Sequence, residues 1–400
     1  MLVSQVEDAF YRYDGNLLEI SNQALGEAPS SRLHLIRAVA GRMFGLPLDP
    51  STEFAAAREL AVEPIDRSLA SAVEVLVDQG PSVAADGLVE HTHSFPDDLL
   101  GGLLRYSALV MSGVPGNRAR AVGLVESDAG RLSGNWRFDS LLAMVREEQR
   151  RYDDARKLAE RILAEQPDNA PAAHVITHVN YETGEHEAGI TWLDEWSSNR
   201  SMLFYGTHFP WHNALHALAL GDIDAAMERF HQQIGPGALI DAGSLLWRCH
   251  LAGTSVHQEG LEAAVAARPV VNALPTPFVV FNACFALAAA GDADTLGSLV
   301  NRLEIDERPA FADLISPIAK SLLAMVEGRP DDAVTLLVPL AGDVPRLGGS
   351  DAQREVVEDT LLRALVAAGQ FERAERLLRS RLERRPHALD DQLLELALVG

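Results

Sequence analysis

The sequence predicts an all-α protein, a solenoid of stacked helical hairpins. A turn motif recurs at steps of 34, 34, 37, 70, 37 and 41 residues along the chain. The segments between the motifs have helical periodicity, with Leu158 and Ile162 on one face and Glu160 on another. Because two helices cannot enclose a core alone, neighbouring hairpins are expected to stack on each other.

Each copy of the motif starts at an anchor residue, usually a glycine. The anchors are Gly116, Arg150, Gly184, Gly221, Gly291, Gly328 and Gly369. The step of 70 residues predicts one further copy, blurred around residues 251–257. The residue five positions after the anchor is small in six of seven copies, and a proline follows at 17 positions in three copies. Small residues where two helices cross and a proline where the second helix ends are typical of helical hairpins.

The chain is long enough for a large core, and its organisation changes along its length. Residues 95–400 carry the repeat and are predicted to form one continuous domain. Residues 1–94 are less regular and are predicted to add helical hairpins or a cap over the apolar face of the first repeat.

Charge and cysteine content limit the partners and the compartment. With 34 basic and 57 acidic residues, the net charge is -23, which disfavours binding to nucleic acids and to anionic membranes. The first twenty residues lack the pattern of an export signal, and Cys249 and Cys284 are expected to be free thiols. These features predict a cytoplasmic protein.

The repeat pattern resembles the tetratricopeptide repeat, which implies a right-handed superhelix with a concave groove. Four stretches resemble the family of tetratricopeptide repeat protein 38: residues 172–184, 208–222, 241–253 and 348–357. The sequence departs from that family's pattern at Phe209 and Asp351, and a histidine expected near Phe281 is absent. The resemblance implies no established biochemical activity.

Histidine and tryptophan concentrate in one part of the chain. Nine of 13 histidines and four of five tryptophans lie between residues 174 and 257. The register implied by the resemblance directs His174, His178, His208 and Trp211 into the groove, with Phe281 beyond them. His174 and His178 are four residues apart and therefore share a helix face.

The surrounding residues leave several interpretations open. Asp241, Ser244, Trp247 and Arg248 fall at helical spacing, as groove residues or as part of a buried ion pair. Pro210 is expected at the first position of a helix, which would leave His208 outside it.

The predicted function is that of a binding or scaffold protein whose groove holds a peptide or a small molecule. The residues predicted to contact the ligand are His174, His178, His208, Trp211, Asp241, Ser244, Trp247, Arg248 and Phe281. The alternative is an enzyme with His174 or His178 as catalytic base, and a third interpretation is an oligomeric adaptor. No cofactor is predicted; a divalent metal on His174, His178 and His208 is the alternative, although HVITH lacks the glutamate of HExxH. A homodimer is left open.

Overall fold

Helices form the regular secondary structure of residues 2–399, which this computed structural model describes. Within that range no strand is present beyond one isolated bridge between Asp14 and Met202. The all-α prediction is confirmed. None of the helices in residues 2–399 is both long enough and apolar enough to cross a membrane.

The first ten helices precede the histidine-rich region. They are α1 (Leu2–Arg12), α2 (Leu17–Glu27), α3 (Ser31–Phe44), α4 (Pro50–Glu59), α5 (Pro64–Gln79), α6 (Pro81–Ser94), α7 (Leu99–Val110), α8 (Asn117–Leu132), α9 (Trp136–Glu148) and α10 (Tyr152–Glu165). Those that follow are α11 (Ala170–Glu182), α12 (His186–Ser197), α13 (Tyr205–Ala219), α14 (Ile223–Arg229), α15 (Leu239–Leu251), α16 (His257–Ala273), α17 (Pro277–Ala289), α18 (Ala293–Leu303), α19 (Ser316–Val326), α20 (Pro330–Leu337), α21 (Asp351–Arg354), α22 (Val356–Ala367), α23 (Phe371–Arg384) and α24 (Ala388–Val399). Short π-helical turns cover Phe230–Ile234 and Phe311–Ile315, and 3₁₀ turns cover Val338–Leu340 and Val344–Leu347.

The chain divides into two compact units. Unit 1 contains the residues up to 179 together with 196–206, and unit 2 contains residues 180–195 and those from 207 onward. In unit 1 helices α3 and α4, α5 and α6, and α9 and α10 pack as neighbouring pairs. Helices α6 and α7 pack together on either side of residue 94, and the domain boundary expected there stays a prediction.

The turns of the hairpins lie where the repeat predicts them. All seven anchors have a positive φ, and Arg150, at 61°, adopts this left-handed conformation without being a glycine. In six of the seven copies the backbone N–H after the anchor donates to a carbonyl five residues back, as from Glu185 to Asn180 at 2.8 Å. Gly116 is the exception, because Asn117 donates to Val114. Gly253 has the same conformation, and Thr254 donates to Cys249 at 3.0 Å. The blurred copy is therefore a hairpin turn like the others.

The small residues of the motif are buried at helix crossings. A Cβ atom added to Gly189 would lie 2.8 Å from Cε1 of His216, so the two helices approach closely there. Pro167 and Pro386 follow the ends of α10 and α23. Pro345 differs, because α20 already ends at Leu337 and the proline lies in a later 3₁₀ turn.

Unit 2 also has contacts between distant hairpins. Helices α15, α17, α19 and α22 pack in succession, and α15 contacts α22 as well. Trp247 on α15 donates its indole N–H to Thr360 on α22 at 2.9 Å. Side chains that the repeat register directs into a groove are therefore enclosed in this unit.

Candidate functional site

The residues predicted to contact a ligand are all buried. None of them is more than 7% exposed: His174, His178, His208, Trp211, Asp241, Ser244, Trp247, Arg248 and Phe281. His174 and His178 belong to unit 1, and the other seven belong to unit 2. Burial makes their polar contacts decisive, because a buried polar group needs a partner.

In unit 1, His174 and His178 form a pair on α11. Asn169 precedes this helix and accepts the backbone N–H of Ala172 at 2.8 Å, which satisfies one donor of the first turn. The Nε2 atoms of the two histidines are 3.0 Å apart. Nδ1 of His174 is 3.3 Å from the hydroxyl oxygen of Tyr205, and Nδ1 of His178 is 3.6 Å from a carboxylate oxygen of Glu147.

In unit 2, His208 and His212 form a second pair on α13. Their Nε2 atoms are 3.2 Å apart. Nδ1 of His208 is 2.7 Å from Oδ1 of Asp241, whose Oδ2 accepts the hydroxyl of Thr207 at 3.0 Å. The ring of His208 stacks on Trp211, with the centroids 5.1 Å apart. The carboxylate therefore fixes the orientation of one imidazole, and the indole packs against its face.

The expectation that His208 lies outside the helix is wrong. Helix α13 begins at Tyr205, and Pro210 is inside it. A proline at this point removes only the backbone bond to Gly206, in the first turn of the helix. Phe209 and Trp211 are both almost completely buried, and their packing offsets the lost bond. His208 and His212 consequently share a helix face.

A third histidine contact, also in unit 2, joins His186 to His216 through their Nδ1 atoms. Nδ1 of His186 is 3.0 Å from Nδ1 of His216, and Nε2 of His186 is 3.0 Å from the carbonyl oxygen of Pro386. Since a carbonyl only accepts, Nε2 of His186 carries a proton and its Nδ1 accepts from His216. Burial lowers the pKa of His186, which favours this neutral form.

Residues 241–253, the third of the four stretches, take part in two different hydrogen-bond networks. Asp241 orients His208, and Ser244 accepts the indole N–H of Trp211 at 3.3 Å. Arg248 instead donates to Asp359 at 2.8 Å and to the carbonyl of Ala352 at 2.8 Å. The motif thus supplies groups to the histidine pair and also a buried ion pair between Arg248 and Asp359. The interpretation of these residues as groove residues stays a prediction.

Phe281, the last of the residues predicted to contact a ligand, lies among aromatic side chains. Phe281 packs edge-on against Phe285, with the ring centroids 4.9 Å apart. Phe278 stacks beside it at 6.3 Å. These contacts within α17 account for the burial of Phe281 by packing alone.

Sequence reasoning missed a buried charge cluster near the C-terminal helices. Arg381 near the end of α23 and Arg385 just after it are buried and pair with Glu355. Although burial alone would raise the pKa of Glu355, these guanidinium groups hold it well below its usual range. Burial raises the pKa of Asp390 to about 7. A signal was present, because Arg381 and Arg385 continue the face of the buried Ala374 and Leu378.

Metal ligation fits the two histidine pairs that have convergent Nε2 atoms. Two metal–nitrogen bonds of about 2.0–2.1 Å place the nitrogens roughly 3.3 Å apart at a tetrahedral angle, close to both observed distances. When Nδ1 of His208 donates to Asp241, the lone pair remains on Nε2, which is the form that binds a metal.

No protein-family model matches the chain. The resemblance to tetratricopeptide repeat protein 38 therefore stays a prediction.

Proposed function

We propose that the chain is a helical-repeat binding protein that takes a small ligand at its buried histidines and holds a divalent metal ion there. The observation that supports this most directly is the approach of Nε2 atoms within each pair, 3.0 Å in one and 3.2 Å in the other. Neutral imidazoles placed this way offer two lone pairs to one cation. Water or a ligand atom would complete the coordination.

The outer contacts of the histidines support a metal further. A metal-ligating histidine commonly donates its second ring N–H to a carboxylate or a carbonyl, which orients the ring and raises its basicity. Asp241 occupies this position for His208. Glu147 lies near the corresponding nitrogen of His178. A carboxylate thus lies on the outer side of one histidine in each pair, at hydrogen-bond distance from His208 and at 3.6 Å from His178.

The proposal favours a small ligand over a peptide. A peptide needs a long accessible surface, whereas the predicted contact residues are buried. Trp247 and Arg248 are already bonded to residues about a hundred positions away, Thr360 and Asp359.

We also propose that the chain forms a right-handed tetratricopeptide-like superhelix and that it is located in the cytoplasm. The repeated left-handed turns and the buried small residues at the crossings support the repeat type. Cys249 and Cys284 are free, and burial raises the pKa of both thiols to about 12, which suits a reducing compartment. Small-angle X-ray scattering of the full chain tests the superhelix, since a closed bundle would give a shorter maximum dimension.

The experiment that tests the metal is a titration of chelator-treated protein with Co²⁺, followed by visible absorption and elemental analysis. We expect stoichiometric binding and the intense bands of a low-coordinate nitrogen site. Asp241→Asn should weaken the affinity about 10- to 100-fold, because the ring of His208 loses its anionic partner. Asp86→Asn is the matched control, since Asp86 has an 85% exposed side chain. Equal affinities in the two variants, or no binding by the wild type, would contradict the proposal.

A second candidate function is acid–base catalysis by His174 or His178. Glu147 lies 3.6 Å from Nδ1 of His178, as a group that orients a catalytic base would. Turnover of a substrate by the chelator-treated protein, lost in His178→Gln, would favour this candidate. Turnover that returns only with added metal would favour the metal site.

A further inference from the structure

Unit 2 contains a cavity that the histidine site does not use. It has a volume of about 50 Å³ and opens partly to solvent. Aliphatic side chains form much of its wall, among them Leu215, Leu251, Leu362 and Leu393. Arginine, histidine and carboxylate side chains form the rest. The cavity is therefore amphipathic, with an apolar side and a charged side.

The carboxylates of the charged side are already engaged. Glu355 accepts from Arg385 and from the hydroxyl of Tyr181. Asp359 accepts from Arg248 at 2.8 Å and from Arg381 at 2.7 Å. Their negative charges are thus compensated by guanidinium groups within the protein.

Two guanidinium groups on the wall retain donors. Arg248 is 7% exposed, and its Nη1 is buried with no hydrogen-bond partner among the described residues, while Nε and Nη2 are bonded. Arg363 has no hydrogen bond or ion pair to any residue in the range 2–399. It lies one helical turn after Asp359, which is occupied by Arg248 and Arg381. A buried donor without a partner is costly, so Nη1 of Arg248 favours an anion. Arg363 is half-buried, and its unpaired guanidinium adds a second positive charge on the cavity wall.

Asp390, the third carboxyl group on the cavity wall, repels an anion only weakly near neutral pH. Burial raises the pKa of Asp390 to about 7, even though Nε of Arg381 is 2.9 Å away. Arg381 also pairs with Glu355 and Asp359, and it offsets the burial of Asp390 only in part. The raised pKa favours the neutral form of Asp390 as the pH falls toward neutral.

We propose that this cavity binds a short-chain monocarboxylate, with the carboxylate group at Arg363 and Arg248 and the aliphatic chain against the leucines. Arginine recognises a carboxylate through paired N–H donors. A cavity of this volume takes roughly three to five water-sized groups. Carboxylates of about two to four carbons are close to this size, and a longer chain can extend through the open side of the cavity. The site is separate from the histidine pairs and requires no metal.

The test is a calorimetric titration of the full, chelator-treated chain with butyrate. We expect saturable binding, with 1-butanol failing to bind because it lacks the charge. Arg363→Gln should weaken butyrate at least about 10-fold through loss of a charge-assisted bond, and Arg363→Lys should weaken it less. Arg379→Gln is the control, because the side chain of Arg379 is 55% exposed and pairs with Glu375.

Three results would overturn the proposal. They are no butyrate binding by the wild type, equal binding of 1-butanol, and equal affinities in Arg363→Gln and Arg379→Gln. Circular dichroism of each variant confirms that the fold is kept. Retention of butyrate binding in Asp241→Asn separates this site from the metal proposal, since Asp241 does not line the cavity.

Discussion

Two histidine contacts in unit 2 share helix α13 and differ in chemistry. In the pair His208–His212 the Nε2 atoms converge, and a carboxylate lies behind His208. In the contact His186–His216 the outer nitrogen of His186 donates to a backbone carbonyl. A carboxylate can stabilise positive charge on the ring or on a bound metal, whereas the carbonyl fixes a neutral tautomer. The partner of a histidine therefore distinguishes a site from packing better than the number of histidines does.

The largest expected effect is on metal affinity, which should depend on the pair His208–His212 and not on the contact His186–His216. His212→Gln removes one of two convergent nitrogens, and we expect the affinity of the unit 2 pair for Co²⁺ to fall at least about 100-fold. His216 lies one turn further along the same helix. His216→Gln should leave the affinity within about threefold of the wild-type value. Both values come from competition titrations with a coloured chelator. A larger loss in His216→Gln than in His212→Gln would reverse the assignment of the two contacts.

A smaller effect is expected on stability. His186→Leu leaves the carbonyl of Pro386 and a nitrogen of His216 without partners, which should lower the free energy of unfolding by about 1–3 kcal/mol. Urea unfolding of metal-free protein measures this change. His231→Gln, at a side chain 53% exposed, should stay within about 0.5 kcal/mol of the wild type. No loss in His186→Leu would show that the contact is dispensable for the fold.

The smallest effect, counted for each pH unit, is in the pH dependence of stability. Burial lowers the pKa of His387, which follows Pro386, to about 3. Below the ordinary histidine pKa of about 6.5 the unfolded chain binds a proton that the folded chain does not. This contribution to stability is present above pH 6.5 and is lost as the pH falls toward 3.

The contribution of Asp390 to stability changes with pH in the opposite direction. Its raised pKa of about 7 lets the folded chain hold a proton that the unfolded chain releases. Its contribution falls as the pH rises from about 4 to 7. His387→Gln should therefore lose stability as the pH rises across that range, by roughly 1 kcal/mol per unit, while the wild type stays flatter. Urea midpoints between pH 4.5 and 7.5 measure the two slopes. Parallel slopes would contradict the assigned pKa of His387.

Much of the fold could be predicted because its signals are local. The left-handed anchors and the capping box of Ser350 with Gln353 depend on residues within one turn of each other. The helical pairing of His174 with His178 has the same origin. The start of α13 could not be read from Pro210, because the packing of Trp211 overrides the local preference of proline.

By itself the sequence determined the helices, the hairpin turns and the small residues at the crossings, because hydrogen bonds between near neighbours and side-chain size decide them. Only the tertiary structure decided which polar groups meet. His186 lies 30 residues from His216, and Arg248 lies 111 residues from Asp359. Burial and charge pairing at such separations depend on how the hairpins pack, and no spacing along the chain encodes them.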